Sequence, residues 1–297
     1  MNDDRITPRA ASTVVLFREK GGRLQVYLLK RSAESGFFPG NYVFPGGAVE
    51  SGDRAGEFWL NHADLDRDGI EERFGKDPGA EETLGYCVAG IRETFEEAAA
   101  LLARKGDGAS SNMAPLREAR TAGKLLKGWL REQVADEGWV LSLSILRGWS
   151  HWITPEAFRP RFDTRFFLAF MPEDQECAPD MRETIHGTWI EPPFALEGNM
   201  RGDIALSPPT LVTLQELSGY RSIEDLDHEK QSRLWGEARL PRLIKLSKGA
   251  IIIEPWDPLI DEKIRVDEEH LKDLVLPIGV PFSRIWLHKG IWRPVGV

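Results

Sequence analysis

Cysteine is close to absent: Cys87 and Cys177 are the two in 297 residues, too few for a disulfide framework. No apolar run approaches the ~20 residues that a membrane-spanning helix needs. The N-terminus, Met1-Asn2-Asp3-Asp4-Arg5, lacks the basic and apolar blocks of a signal peptide, and Pro294-Val295-Gly296-Val297 is not a peroxisomal tripeptide. Positive charge is scarce, with 38 Lys and Arg against 47 Asp and Glu and a formal net charge of −9. That balance opposes broad binding to nucleic acid or to a membrane surface, though a local basic pocket stays open. The expectation is a cytoplasmic protein with neither nucleic acid nor membrane as a partner.

What is present is the material of a globular protein. Hydrophobic residues make up 41% and charged residues 29% of the chain, enough for one large core or a core with an appended lobe. The densest chemistry lies at Arg92-Glu93-Thr94-Phe95-Glu96-Glu97. On a helix, positions i, i+3 and i+4 are surface neighbours, so Glu93, Glu96 and Glu97 share one face. Like charges held that close raise one another's pKa unless a cation sits among them. Mg²⁺ is a natural occupant, since it is hard and shares itself between carboxylates and phosphates. Arg92 is spaced to pair with Glu96 at i, i+4. Taken alone, the cluster reads more readily as a solvated acidic face.

Upstream stands Phe44-Pro45-Gly46-Gly47-Ala48-Val49-Glu50-Ser51-Gly52-Asp53. Paired glycines let backbone approach a ligand closely, offering carbonyls to a cation and N–H groups to phosphate. Together the two segments resemble the signature of the Nudix hydrolases, in which glycine, five residues and Glu precede Arg-Glu-(apolar)-x-Glu-Glu-x-Gly. Asp53 stands for that Glu, Thr94 occupies an apolar position, and Ala99 replaces the later glycine. Ala99 implies a helix running on through Leu101 and Leu102. The widest departure is length: residues 54 to 91 separate Asp53 from Arg92 where the signature has seven.

An insert inside the box is a mark of one branch, the animal peroxisomal coenzyme A diphosphatases of the motif-19 type. Leu28-Leu29-Lys30-Arg31-Ser32, Gly36-Phe37-Phe38-Pro39-Gly40, Trp152-Ile153-Thr154-Pro155, the run Arg161 to Phe167 and Leu206-Ser207-Pro208-Pro209-Thr210 resemble the same branch. The likeness spans about residues 10 to 250.

The resemblance implies an α/β (α+β) fold, a Nudix-type α/β/α sandwich with a mixed sheet, an insert within the box and extra C-terminal strands. It would place the Nudix domain in 1–250, with the insert at about 54–85, and a C-terminal extension over 251–297 packed on the core. It implies a diphosphatase dependent on Mg²⁺, with Mn²⁺ as a substitute. Glu93, Glu96, Glu97 and the Gly47 region would hold metal, and Arg92, Glu96 and Glu97 would serve catalysis. Glu96 leads as general base, with Glu183 as another candidate. Arg31, Gly46, Arg161 and Arg165 would meet the substrate, joined by Lys30. Coenzyme A or an acyl-coenzyme A is the leading substrate. Other nucleoside diphosphate derivatives, such as ADP-ribose or NADH, and a catalytically silent nucleotide-binding domain are the alternatives. A homodimer is among the expected assemblies.

Coarser features follow from pattern. Thr13–Phe17 and Leu24–Leu29 flank Lys20-Gly21-Gly22 as a hairpin. The insert holds two short helices, at Ala55–Leu60 and Ile70–Phe74, and reads as a surface excursion, a lid or a dimer contact. The box helix is expected at about 81 to 104, a Gly/Ser/Asp-rich loop at Lys105 to Asn112, and one further helix over Pro115 to Val134. Along 161–166 the alternation puts Phe162, Thr164 and Phe166 on one face and Arg161, Asp163 and Arg165 on the other. Trp149, Trp152 and Phe167 read as core. His151 beside Ser150 is not read as a nucleophilic pair. In the tail, Leu243–Leu246, Ala250–Glu254 and Ser283–Leu287 are β-like.

Overall fold

The computed structural model of the chain describes residues 7–106, 113–220, 222, 224–226 and 234–296. Strands β1 (Arg9–Lys20) and β2 (Arg23–Arg31) form the expected hairpin, turned by Gly21 and Gly22, both at positive φ. Two short strands follow, β3 (Tyr42–Val43) and β4 (Gly46–Ala48). After the helices α1 (Gly56–Leu60), α2 (Arg67–Phe74) and α3 (Ala80–Ala98) come β5 (Ala103–Lys105), α4 (Ala114–Thr121), α5 (Trp129–Glu137) and β6 (Trp139–Leu141). Then β7 (Arg147–Ile153), β8 (Phe162–Phe170) and β9 (Thr184–Ile190) complete most of the main sheet. Helices α6 (Pro192–Arg201) and α7 (Pro208–Leu217), both opening on proline, precede the short β10 (Ala238–Arg239).

The central sheet runs β10-β7-β8-β1-β2-β3, with β4 also paired to β1 and β9 to β2. Its β1–β8 and β10–β7 pairs are parallel and its other pairs antiparallel, so the sheet is mixed. The period of two along β1 and β8 sorts their side chains into two cores. Val14, Leu16, Phe167 and Ala169 pack under α3. Val15, Phe17, Phe166 and Leu168 pack on the opposite face with residues of α6 and α7. Both faces are covered, which is the α/β/α sandwich the resemblance implied.

Helix α3 is anchored by Leu84, Val88, Ile91 and Phe95, one apolar stripe that is fully buried. At roughly 1.5–3 kcal/mol per buried side chain, that stripe fixes the helix firmly enough to aim whatever its last turns carry. The expected run through Leu101 and Leu102 does not form. Ala99 adopts the left-handed conformation, at φ 61°, and stops α3 at Ala98. It does so where the signature has glycine, at roughly 1–2 kcal/mol for an L-residue. Leu101 instead exchanges two hydrogen bonds with the Gln175 side chain, at 2.8 and 2.9 Å.

The insert departs from a surface excursion. Trp59 of α1 and Ile70 and Phe74 of α2 are buried in the same core as α3, and Trp59 Nε1 donates to Gly52 O at 2.8 Å. The single helix expected over 115–134 is two, α4 and α5. They are separated by a turn bounded by Gly123 and Gly128, both at positive φ, a conformation that ends a helix. The expected Lys105 to Asn112 loop lies mainly outside the described residues.

The tail forms its own antiparallel sheet, β11 (Arg242–Lys245), β12 (Ala250–Ile253), β13 (Arg284–His288) and β14 (Ile291–Val295), in that order. Ala250, Ile252, Ile285 and Trp292 pack on the core beneath α6 and α7, while Ile251, Ile253 and Trp286 join a small cluster of their own. Strand β14 escaped the sequence pattern because it holds Pro294; as an edge strand it tolerates a missing N–H.

Candidate active site

The two halves of the box meet despite the long detour between them. Arg92, on the buried side of α3, donates Nε to Asp53 Oδ1 at 3.1 Å and Nη2 to Asp53 Oδ2 at 2.9 Å, a bidentate clamp. Its Nη2 also reaches Ala48 O at 2.9 Å, and its Nη1 reaches Glu93 at 2.8 Å and Glu96 at 3.1 Å. Asp53 in turn accepts the Glu50 N–H at 2.8 Å. Burial works against the guanidinium charge, but Asp53, Glu93 and Glu96 outweigh it and hold Arg92 firmly protonated. Asp53 therefore fixes the arginine that fixes the acids.

A second tie runs from loop to helix. Gly46 N–H donates to Glu97 Oε2 at 2.9 Å. The Glu93 carboxylate lies against Gly47 so closely that a methyl group on that residue would overlap it. At Gly46 a methyl would strike the β1 backbone at Ser12 and Thr13. Both glycines are thus required by close approach, not by their φ angles. Thr94, at a position the signature makes apolar, is buried because its hydroxyl donates to Gly90 O at 2.7 Å.

The acids do not stand alike. Burial pushes Glu93 up to about 7; Arg92 pulls it back, and Glu96 and Glu183 push it further. Burial also holds Glu97 well above the usual carboxylate range, with Glu93 adding repulsion and the Gly46 N–H opposing. Glu96 turns aside: its Oε1 accepts from Trp129 Nε1 at 2.6 Å and its Oε2 from Arg92. Burial raises it too, against those two bonds.

A cavity of about 510 Å³ opens beside this cluster. Glu93, Glu96, Glu97 and Glu183 line it together with Arg9 and Arg31. Phe37, Phe38, Trp152, Phe158 and Phe162 give its lining an aromatic part. Of the predicted substrate residues, Gly46 and Arg31 are on the cavity. Arg161 and Arg165 are on the opposite side of β8 from the lining residues Phe162, Thr164 and Phe166. Arg161 donates to Thr154 O at 3.0 Å, and Arg165 lies over Tyr86 and Trp235. Lys30 stands over the Tyr42 ring. Trp149 and Phe167 are core residues, as read, whereas buried Trp152 also borders the cavity. His151 meets Asp163 at 2.7 Å, while Ser150 accepts from Trp152.

Two residues that no local motif signals complete the support. Trp129 holds Glu96, and Arg120 of α4 donates to Glu96 O and Glu97 O, each at 2.8 Å. Both come from segments read only as an apolar helix.

A mixed sheet flanked by helices, with an acidic helix end clamped under a glycine loop, defines a Nudix hydrolase. Residues 8–217 match the model of the NUDT19 Nudix domain, and the chain belongs to that family, whose enzymes act on pyrophosphate bonds. It is 28% identical to the acyl-coenzyme A diphosphatase NUDT19 of Gallus gallus, over 88% of this chain and 81% of that one. The Homo sapiens protein of the same name is 27% identical, over 84% and 75%. A solved Nudix hydrolase from Alicyclobacillus acidocaldarius superposes with a TM-score of 0.61 at 26% identity, over 78% of this chain and 99% of that one.

Nudix hydrolases generally act with divalent metal ions. Among the described residues no three His, Cys, Asp or Glu side chains are gathered closely enough to hold an ion as they stand. The donor chemistry nonetheless fits one. Glu93 and Glu97 offer oxygens only, repel each other, and line the cavity together with Gly46 and Gly47.

Proposed function

We propose that the chain hydrolyses the diphosphate linkage of coenzyme A or an acyl-coenzyme A in the presence of Mg²⁺ or Mn²⁺, releasing 3′,5′-ADP and (acyl-)4′-phosphopantetheine. The observation that carries this reading is the convergence of Gly46 and Gly47 on Glu93 and Glu97 at a cavity that Glu183 also lines. The names of the relatives support the choice of substrate.

Glu93 and Glu97, with a backbone carbonyl of Gly46 or Gly47 in β4, would hold the metal. A bound divalent ion supplies positive charge to the non-bridging phosphate oxygens and acidifies water. Arg92 orients Glu93 and Glu96 by direct hydrogen bonds. Glu96 and Glu183, both on the cavity, are the candidates to accept a proton from the attacking water. Arg31 and Arg9 offset the charge of the substrate phosphates, for which guanidinium is well shaped. Arg161 and Arg165 support the β8 wall in this reading. The aromatic part of the lining packs against the organic part of the substrate.

The deciding experiment is a panel of coenzyme A, acetyl-coenzyme A, ADP-ribose, NADH and diadenosine polyphosphates, with products resolved by chromatography. Coenzyme A or its thioester is expected to be turned over fastest, with 3′,5′-ADP appearing. If neither is cleaved at micromolar enzyme with Mg²⁺ present, the substrate assignment fails.

A further inference from the structure

We propose that Arg120 is a positioning residue, one that sets the distance between the acids on α3 and the opposing acid Glu183. The inference rests on the diphosphatase reading for the use of those acids, but its geometry is independent of the substrate. Arg120 is buried, and its guanidinium donates to backbone alone: Nε to Glu96 O at 2.8 Å, Nη2 to Glu97 O at 2.8 Å and the same Nη2 to Ala178 O at 2.7 Å. The first two acceptors belong to the last turn of α3, which carries two acids of the site. The third begins the segment 178–184, which carries Glu183. Ala178 N–H returns to Ala98 O at 3.0 Å, so the two pieces of chain are stitched from both sides.

A helix C-terminus leaves carbonyls without partners and concentrates negative charge, and a cation there answers both. The need is acute here because Ala99, not glycine, holds the left-handed conformation that ends α3. Beyond Ala178 the segment is locked by Asp180, whose carboxylate accepts the N–H groups of Glu183 at 3.1 Å and Thr184 at 2.8 Å. Glu183 O then accepts from Ser32 N at 2.8 Å, which moors it just beyond the end of β2. The chain of contacts runs from the helix end through Arg120 to the Asp180 turn and out to Glu183. Arg120 touches no reacting group, so its loss should disturb turnover and spare binding.

Arg120→Met keeps the stem and removes every donor; Asp180→Ala loosens the other end without touching the core. With the diphosphate that the wild type cleaves best, kcat is expected to fall about 10–100-fold in Arg120→Met and about 5–20-fold in Asp180→Ala, each with KM within about threefold. Adding Ala99→Gly to Arg120→Met is expected to restore kcat by about fivefold or more, because glycine takes the left-handed conformation unaided. Hydrogen exchange in Arg120→Met should quicken together at the end of α3 and at 178–184, a readout that needs no substrate. The proposal is overturned if folded Arg120→Met or Asp180→Ala keeps wild-type kcat, if only KM changes, or if exchange quickens in one segment alone. Should Arg120→Met fail to fold, Asp180→Ala decides by the same criteria. A wild type inert toward every diphosphate tested would sink the functional reading, and exchange would still decide the positioning.

Discussion

Replacing Asp53 with alanine tests whether one buried ion pair joins the two halves of the box across the insert. Arg92 makes five hydrogen bonds, two of them to Asp53. Both partners are almost wholly buried, with side chains 8% and 5% exposed. Breaking a buried pair by deleting one member costs about 3–5 kcal/mol, because the survivor is left without its partner. Arg92 would keep Glu93, Glu96 and the Ala48 carbonyl, so the lower end applies, about 3 kcal/mol. In a protein of this size a kcal/mol is worth about 2–4 °C, which gives a fall on the order of 6–12 °C in Tm. Asp53→Asn, which keeps the shape and drops the charge, should lose about half as much. Urea denaturation of wild type, Asp53→Ala, Arg92→Met and the double variant would give the coupling directly. An interaction of about 2 kcal/mol is expected, and additivity to within about 0.5 kcal/mol would refute the clamp. Activity should follow, since a guanidinium that has lost its two bonds to Asp53 aligns Glu93 and Glu96 less strictly. A drop of about 10–100-fold in kcat is expected for Asp53→Ala.

Three further substitutions probe neighbouring claims. Gly47→Ala inserts a methyl into the space of the Glu93 carboxylate; kcat should fall at least about tenfold with Tm lowered by a few degrees, and full activity would show that Glu93 can move aside freely. Glu97→Gln keeps the acceptor for the Gly46 N–H, so Tm without divalent ions should stay within about 2 °C while activity drops to the EDTA background; persistence of activity in that variant and in EDTA would end the carboxylate mechanism. Glu254 is fully buried, neither carboxylate oxygen has a hydrogen-bond partner among the described residues, and burial pushes it up to about 8, with Arg239 opposing and Glu216 reinforcing. A folded-state pKa above the unfolded value of about 4.3 means that the folded form binds the extra proton between those limits, so stability falls as pH rises toward 8. Glu254→Gln should flatten that decline in a Tm-against-pH series, and unchanged slopes would assign it to another group.

How much of this was legible beforehand depends on how local each feature is. The glycine loop and the acidic helix face are runs of consecutive residues, so their joint resemblance to the Nudix signature could be read directly. The alternation along β8 correctly split Phe162, Thr164 and Phe166 from Arg161, Asp163 and Arg165. Which face met the cavity was a matter of layer packing, and there charge suggested the arginines while the structure put the aromatics. Arg120 and Trp129 lie 23 or more positions from the carbonyls and carboxylate they hold, and no pattern of period 2 or 3.6 links such positions. Their segment looked like one helix because Leu116, Leu125, Leu126, Trp129 and Leu130 suggested a stripe. Gly123 and Gly128 break it, and Leu126 ends 68% exposed.

Ala99 shows the same limit from the other direction. Helix propensity favours alanine in a helix over any other residue, so a sequence reading extends α3 past it. The observed chain ends there because stopping satisfies more groups than continuing would. Leu101 gains both bonds to Gln175, Ala178 bonds back to Ala98, and Arg120 covers the freed carbonyls. Set against roughly 1–2 kcal/mol for one left-handed alanine, hydrogen bonds worth about 1 kcal/mol each and more for a charged donor decide the matter. The insert is accommodated on the same principle. It enters just after Asp53 and returns through α3, and the Arg92–Asp53 pair holds both ends, so its length adds only slowly to the entropy of closure. Trp59, Ile70 and Phe74 bury themselves against α3 on the way. An interruption that looks like damage in the linear motif thus reinforces, in three dimensions, the helix on which the acids stand.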